Sequence, residues 1–74
     1  MPHIVVKLYA GKTDEQKNEL TRKLVDVFMT TLGSSEASLS VGIEEYDPKD
    51  WKEQVVGPDI EGKMGTLTKK PGYL

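Results

Sequence analysis

Residues 2–9, PHIVVKLY, and the stretch that follows, 10–32, AGKTDEQKNELTRKLVDVFMTTL, decide the fold. In the first, Ile4, Val6 and Leu8 alternate with His3, Val5, Lys7 and Tyr9. A period of two is that of a β-strand, whose successive side chains point to opposite faces. The strand is therefore expected to start almost at the amino terminus, from Pro2. Ala10-Gly11-Lys12 breaks the alternation. Thr13 with Gln16 then reads as a capping box, and Asp14 and Glu15 complement the positive end of a helix dipole. Beyond it, Leu20, Leu24, Val27, Phe28, Thr31 and Leu32 recur at three- and four-residue spacing, while Lys17, Glu19, Arg22, Lys23 and Asp26 fall elsewhere. The period has become that of an amphipathic helix starting near Asp14. Gly33 can take the positive φ that ends such a helix.

After a connection over 34–37, Leu39, Val41 and Ile43 alternate with Ser38, Ser40, Gly42 and Glu44, which predicts a second strand. Strand, helix and strand in this order make a βαβ unit of the α/β (α+β) class, with parallel strands and a right-handed crossover. The helix stripe is expected to cover Ile4, Val6, Leu8, Leu39, Val41 and Ile43. That leaves the opposite face, with Val5 and Tyr9, open in a lone chain. Parallel sheets are nearly always covered on both faces, so a second subunit is expected there.

Further along, Asp47-Pro48 pairs an N-cap with proline at the first helical position. This predicts a short helix over 49–56 around Trp51, ended by Gly57-Pro58. A second short helix is expected over 59–68 with Ile60, Met64 and Leu67 on one side, although Gly62 and Gly65 each weaken it by about 1 kcal/mol. Lys70-Pro71-Gly72 turns the chain into Tyr73-Leu74, as a tail or a docking segment.

The 74 residues make one domain, 1–74, and a domain this short buries a small share of its surface. There is no cysteine, and the single His3 has no metal-ligating partner, so neither a disulfide framework nor a zinc site supplies the missing stability. A homo-oligomer is the remaining solution. A dimer is expected over a hexamer, because the long segment after Tyr46 would obstruct a larger ring. The net charge of −2 comes from mixed charges without a long basic run, which argues against nucleic acid as a partner. The apolar start is too short for a signal h-region and nothing approaches a membrane span, so no membrane is expected and the cytoplasm is the default compartment.

Most constellations that carry chemistry are absent: there is no phosphate-cradling glycine loop, metal cluster or Ser-His-Asp arrangement. What stands out is Met1-Pro2 directly before a strand. Removal of Met1 would leave a secondary amine at a rigid position. An apolar pocket or a nearby cation disfavours the protonated amine and lowers its pKa from the α-amino reference of about 8. The neutral amine can then take a proton next to a carbonyl and return it to another atom, a keto-enol or double-bond isomerisation. Taken alone, Pro2 is more simply the start of an edge strand, where its missing N–H is harmless.

Pro2, the turn Gly11-Lys12-Thr13-Asp14-Glu15-Gln16-Lys17, the βαβ core and the segment to Trp51 together resemble the 4-oxalocrotonate tautomerase family. The Pro-His-Ile start, Trp51 and the terminal Lys69-Lys70-Pro71-Gly72-Tyr73 look more like a bacterial subgroup with a longer carboxyl-terminal region. For that subgroup dimers and phenylenolpyruvate-type keto-enol activity are expected, on the tautomerase-like fold with its sheet completed by oligomerisation. The resemblance implies that Pro2 is the catalytic general base and that Trp51 stands as an aromatic wall beside it, with no cofactor or metal. It also exposes two departures. The arginine usual after the first strand is Lys12 here, and the second-strand arginine that polarises a substrate carbonyl is Ser40.

Lysine still attracts a carboxylate but lacks the bidentate fork, and serine carries no charge. A monocarboxylate enol is accordingly expected over a dicarboxylate. Lys12, Trp51 and His3 are the candidate substrate-binding residues. For each there is a plainer role: a turn residue for Lys12, core or interface for Trp51, a solvated strand position for His3. Loss of both arginines also leaves open a noncatalytic oligomeric scaffold or small-ligand binding protein of the same fold.

Overall fold

The computed structural model describes residues 1–74. Strand β1 is His3–Tyr9 and helix α1 is Asp14–Leu32. A 3₁₀ turn at Glu36–Ser38 leads into β2, Ser40–Tyr46. The two strands pair in parallel, His3 opposite Ser40 through to Tyr9 opposite Tyr46. Two further bonds extend the ladder at its ends, Ser40 N–H to the Pro2 carbonyl at 3.3 Å and Ala10 N–H to the Tyr46 carbonyl at 2.8 Å.

The capping box forms as expected: the Gln16 N–H donates to Thr13 Oγ1 at 3.1 Å, and the Thr13 N–H donates to Gln16 Oε1 at 3.0 Å. Gly33 closes α1 at φ 71°, its N–H bonded to the Met29 carbonyl. Strand β2 begins two residues later than the alternation predicts. Ser38 turns back on Ser35, donating to its carbonyl from both the backbone (3.2 Å) and the hydroxyl (2.8 Å). Such local serine bonding competes with a sheet ladder.

Helix α1 crosses the face carrying Ile4, Val6, Leu8, Val41 and Ile43, all half-buried. Its inward side runs through Leu20, Thr21, Leu24, Val25, Phe28 and Met29. Val27 and Leu32, assigned to the core by spacing, are instead 58% and 66% exposed. Each lies three or four residues from Leu24 or Phe28, but on the side turned away from the strands, where Val25 and Met29 take the inward places. Spacing defines a stripe without saying which edge of it meets the sheet.

The largest departure lies after β2. Helix α2, Pro48–Trp51, is capped by Asp47, whose carboxylate accepts from the Lys49 N–H at 3.1 Å. It does not stop at Gly57-Pro58. The chain continues as a π-helix over Lys52–Ile60, with Pro58 inside it, and then as 3₁₀ turns over Glu61–Thr66, kinked at Lys63, in place of the expected second helix. Proline breaks an α-helix because its ring strikes the carbonyl four residues back and its nitrogen cannot donate. The wider i→i+5 turn moves that carbonyl aside. The only buried residues, Val55 and Val56 at 4% and 8% exposure, lie on this segment.

The segment packs on the outer sheet face, so that face is not left bare as the sequence suggested. Lys7 donates to the Asp59 carboxylate, and the Trp51 ring meets Tyr9 edge-on at 5.2 Å and Tyr46 at 6.1 Å. This cover is partial: Val5 stays 44% exposed and Tyr9 49%.

The Lys7–Asp59 pair also makes this packing sensitive to pH. The bond from Lys7, ahead of the Lys7 and Lys63 charges, holds the Asp59 carboxyl below its usual value, while the same bond raises Lys7. A depressed carboxyl stabilises the fold above its unfolded pKa, and that contribution is lost as pH falls through the folded one. The raised lysine contributes below about 10.5 and is lost on the alkaline side. Asp59→Asn is therefore expected to lower the melting temperature near neutral pH. The gap from the parent should narrow as pH drops below about 4, measured by thermal melting across a pH series. A gap independent of pH would mean that the carboxylate charge is not what secures the segment.

Candidate active site

The candidate residues fall into two groups at opposite ends of the sheet. At the amino end, Pro2 is half-buried and its carbonyl is tied to the Ser40 N–H, which fixes the backbone immediately after the proline nitrogen. His3 and Ser40 are register partners and point to the same outer face. The His3 Nδ1 lies 2.6 Å from Ser40 Oγ. This contact was readable in part from the alternation, which placed both residues on one face; the register that sets them side by side comes only with the fold.

At the carboxyl end, Trp51 sits between Tyr9 and Tyr46 and donates from Nε1 to the Tyr73 hydroxyl at 3.3 Å. Tyr73 is thus tethered to Trp51 while staying 62% exposed. Tyr9, Trp51, Lys52, Val56, Glu61, Tyr73 and Leu74 line an open, mostly apolar cleft of about 360 Å³. Spacing had not signalled Tyr46 or Tyr73 as neighbours of Trp51. The Tyr46 hydroxyl donates to Glu44 at 3.0 Å, and this bond, with burial adding to it, raises the Tyr46 pKa.

Lys12 lies on the turn after β1, in a shallow hollow with Leu8, Gln16, Lys17 and Leu20. It joins none of the molecule's ion pairs, so its charge is free for an anion. The neighbouring Lys17 is not free: it is bonded to Glu45 at 2.6 Å, which raises its pKa.

A seven-residue strand at about 3.3 Å per residue separates the two groups by roughly 20 Å. One chain therefore brings Pro2 and His3 together but does not bring Trp51 or Lys12 to them.

The comparisons with known proteins agree with this architecture. The family model described as "Tautomerase enzyme" matches residues 2–58. The chain belongs to the tautomerase family. A probable tautomerase of Xylella fastidiosa (strain 9a5c) is 42% identical over 73 residues, covering 99% of this chain and 89% of the relative. Tautomerase PptA of Pectobacterium carotovorum subsp. carotovorum (strain PC1) is 42% identical over 74 residues, covering 99% and 97%. Among solved structures, YwhB, a homologue of 4-oxalocrotonate tautomerase, overlays with a TM-score of 0.61 at 41% identity, over 62% of this chain and 75% of its own. As a tautomerase the protein is an isomerase, and its fold is that of the 4-oxalocrotonate tautomerase homologues.

Proposed function

We propose that this tautomerase uses Pro2, freed by removal of Met1, as the general base for keto-enol isomerisation of a small monocarboxylate enol, without cofactor or metal. The observation that carries the reading is Pro2 itself: a proline at the head of β1, held by the Ser40 N–H at 3.3 Å, is a rigid amine in waiting. Only a positioned proton carrier is needed for such a transfer, and a secondary amine of suitable pKa is one. The substrate's carboxylate is assigned to Lys12, whose charge no carboxylate pairs, and its apolar body to Trp51 and the cleft beside it.

Because Pro2 and Trp51 stand at opposite ends of one chain, the complete site requires a second copy. The flat single chain, 35 × 31 × 19 Å, supports the same conclusion. Val5 and Tyr9 remain 44% and 49% exposed, and burying what is left of each is worth about 1 kcal/mol. A homodimer that continues the sheet with strands reversed would carry the amino end of one β1 to the carboxyl end of the other. The cytoplasm is the assigned compartment.

The experiment is ketonisation of an aryl enolpyruvate by protein with a processed amino terminus, followed by loss of the enol absorbance. Lys12→Ala is expected to raise KM roughly tenfold or more while changing kcat little, the signature of lost uniform binding. An equal fall in kcat and kcat/KM would instead place Lys12 on the transition state, and no change would return it to the turn.

A further inference from the structure

The outer sheet face beside Pro2 holds a polar pair that the general-base reading does not use. His3 and Ser40 face each other across the ladder, with Nδ1 2.6 Å from Oγ. No other side-chain hydrogen bond reaches either residue. Ser40 therefore grips the amino end twice, through its N–H on the Pro2 carbonyl and through its hydroxyl on the His3 ring.

We propose that Ser40 is a positioning residue: its hydroxyl donates to Nδ1 of His3 and holds the ring as a neutral donor, with Nε2–H presented to the substrate's carbonyl oxygen beside Pro2. This rests on the reading of Pro2 as the base. A neutral imidazole has one donor and one acceptor nitrogen, and a hydroxyl rotates to suit its partner. Donation into Nδ1 leaves the proton on Nε2, the far nitrogen, on the exposed side of the ring. The reverse arrangement would turn a lone pair toward an oxygen gaining negative charge.

In ketonisation the enol O–H bond breaks as its proton passes to the Pro2 nitrogen. The C–O π bond forms, and the electron pair of the former C=C takes the proton back from Pro2 to make the new C–H bond. Pro2 returns to the neutral amine. His3 keeps its proton throughout and stabilises the enolate oxygen by hydrogen bonding, a role that in other enzymes is worth about 10²–10³ in rate. Serine at position 40 thus supplies polarisation indirectly, by orienting an imidazole instead of by its own charge.

The test compares processed parent protein with Ser40→Ala, Ser40→Thr, His3→Ala and the His3→Ala, Ser40→Ala double variant on an aryl enolpyruvate. Ser40→Ala is expected to lose about tenfold in kcat with KM within about twofold, below the loss on removing the donor itself, and Ser40→Thr should restore most of it. In the double variant, Ser40→Ala should add nothing to the loss from His3→Ala. Independent of activity, ¹⁵N NMR of the chain's single histidine should show the proton on Nε2 in the parent and a tautomer mixture in Ser40→Ala.

A proton found on Nδ1 in the parent, unchanged kcat in Ser40→Ala, or additive losses would overturn the proposal. The two readings fail separately. A parent whose turnover is indifferent to Met1 removal defeats the Pro2 base, whereas a parent that depends on it while Ser40→Ala matches it in rate defeats only the role of Ser40.

Discussion

Protein freed of Met1 is expected to ketonise an aryl enolpyruvate about 10² to 10⁴ times faster than the same protein retaining Met1, with the fold unchanged between them. With Met1 in place the Pro2 nitrogen is an amide without a basic lone pair; without it the nitrogen is a titratable secondary amine. Nothing in the fold depends on the difference, because Pro2 is held through its carbonyl and Met1 is fully exposed. Intact mass separates the two forms before assay. The pH profile of kcat/KM for the processed form should rise through the ionisation of the free amine. Pro2→Ala is a milder change, since it leaves a primary amine in the same place. Equal turnover by the two forms would remove Pro2 as the base.

A second large effect is expected from mixing inactive subunits. Protein retaining Met1 lacks the base, and Trp51→Ala with Lys12→Ala lacks the wall and the anion site. Each alone should be nearly inactive when assayed well below the parent's KM. If Pro2 of one subunit works against Trp51 and Lys12 of the other, co-refolding equal amounts gives hybrids in which one of the two sites is intact. For a statistically mixed dimer this restores roughly a quarter of the parent's specific activity. No recovery, in a mixture shown by native mass spectrometry to contain hybrids, would mean that each site is built within one chain. Light scattering of the parent at micromolar concentration checks the premise, since a folded monomer would leave Pro2 and Trp51 roughly 20 Å apart.

Local order was the part of the fold most open to sequence reading. The switch from the two-residue period of Ile4, Val6 and Leu8 to the helical spacing after Thr13 places β1 and α1, and parallel pairing follows from strand-helix-strand order. Where tertiary contacts decide, the residues alone were silent. Gly57-Pro58 reads as a stop because the rule for proline is written for the α-helix, and a π-helix escapes it. Trp51 was placed beside Pro2 by resemblance, yet within the chain it is packed against Tyr9 and Tyr46 at the far end. Of the candidate site, Pro2 and His3 were found together as the strand pattern implied; the Ser40 contact needed the register, which depends on the crossover length.

The π-helix between Trp51 and Asp59 sets a rotational phase as well as a path. Trp51 must meet the tyrosines and Asp59 must meet Lys7, both on the same sheet face, although they are separated by a stretch wound more widely than an α-helix. Removing one residue from 52–58 without a change of winding would turn everything downstream by nearly a quarter turn, carrying Asp59 off the sheet. Substitutions that keep the length leave the phase intact. The spacing from 51 to 59 is therefore a tighter constraint on this chain than the identity of the exposed residues that fill it.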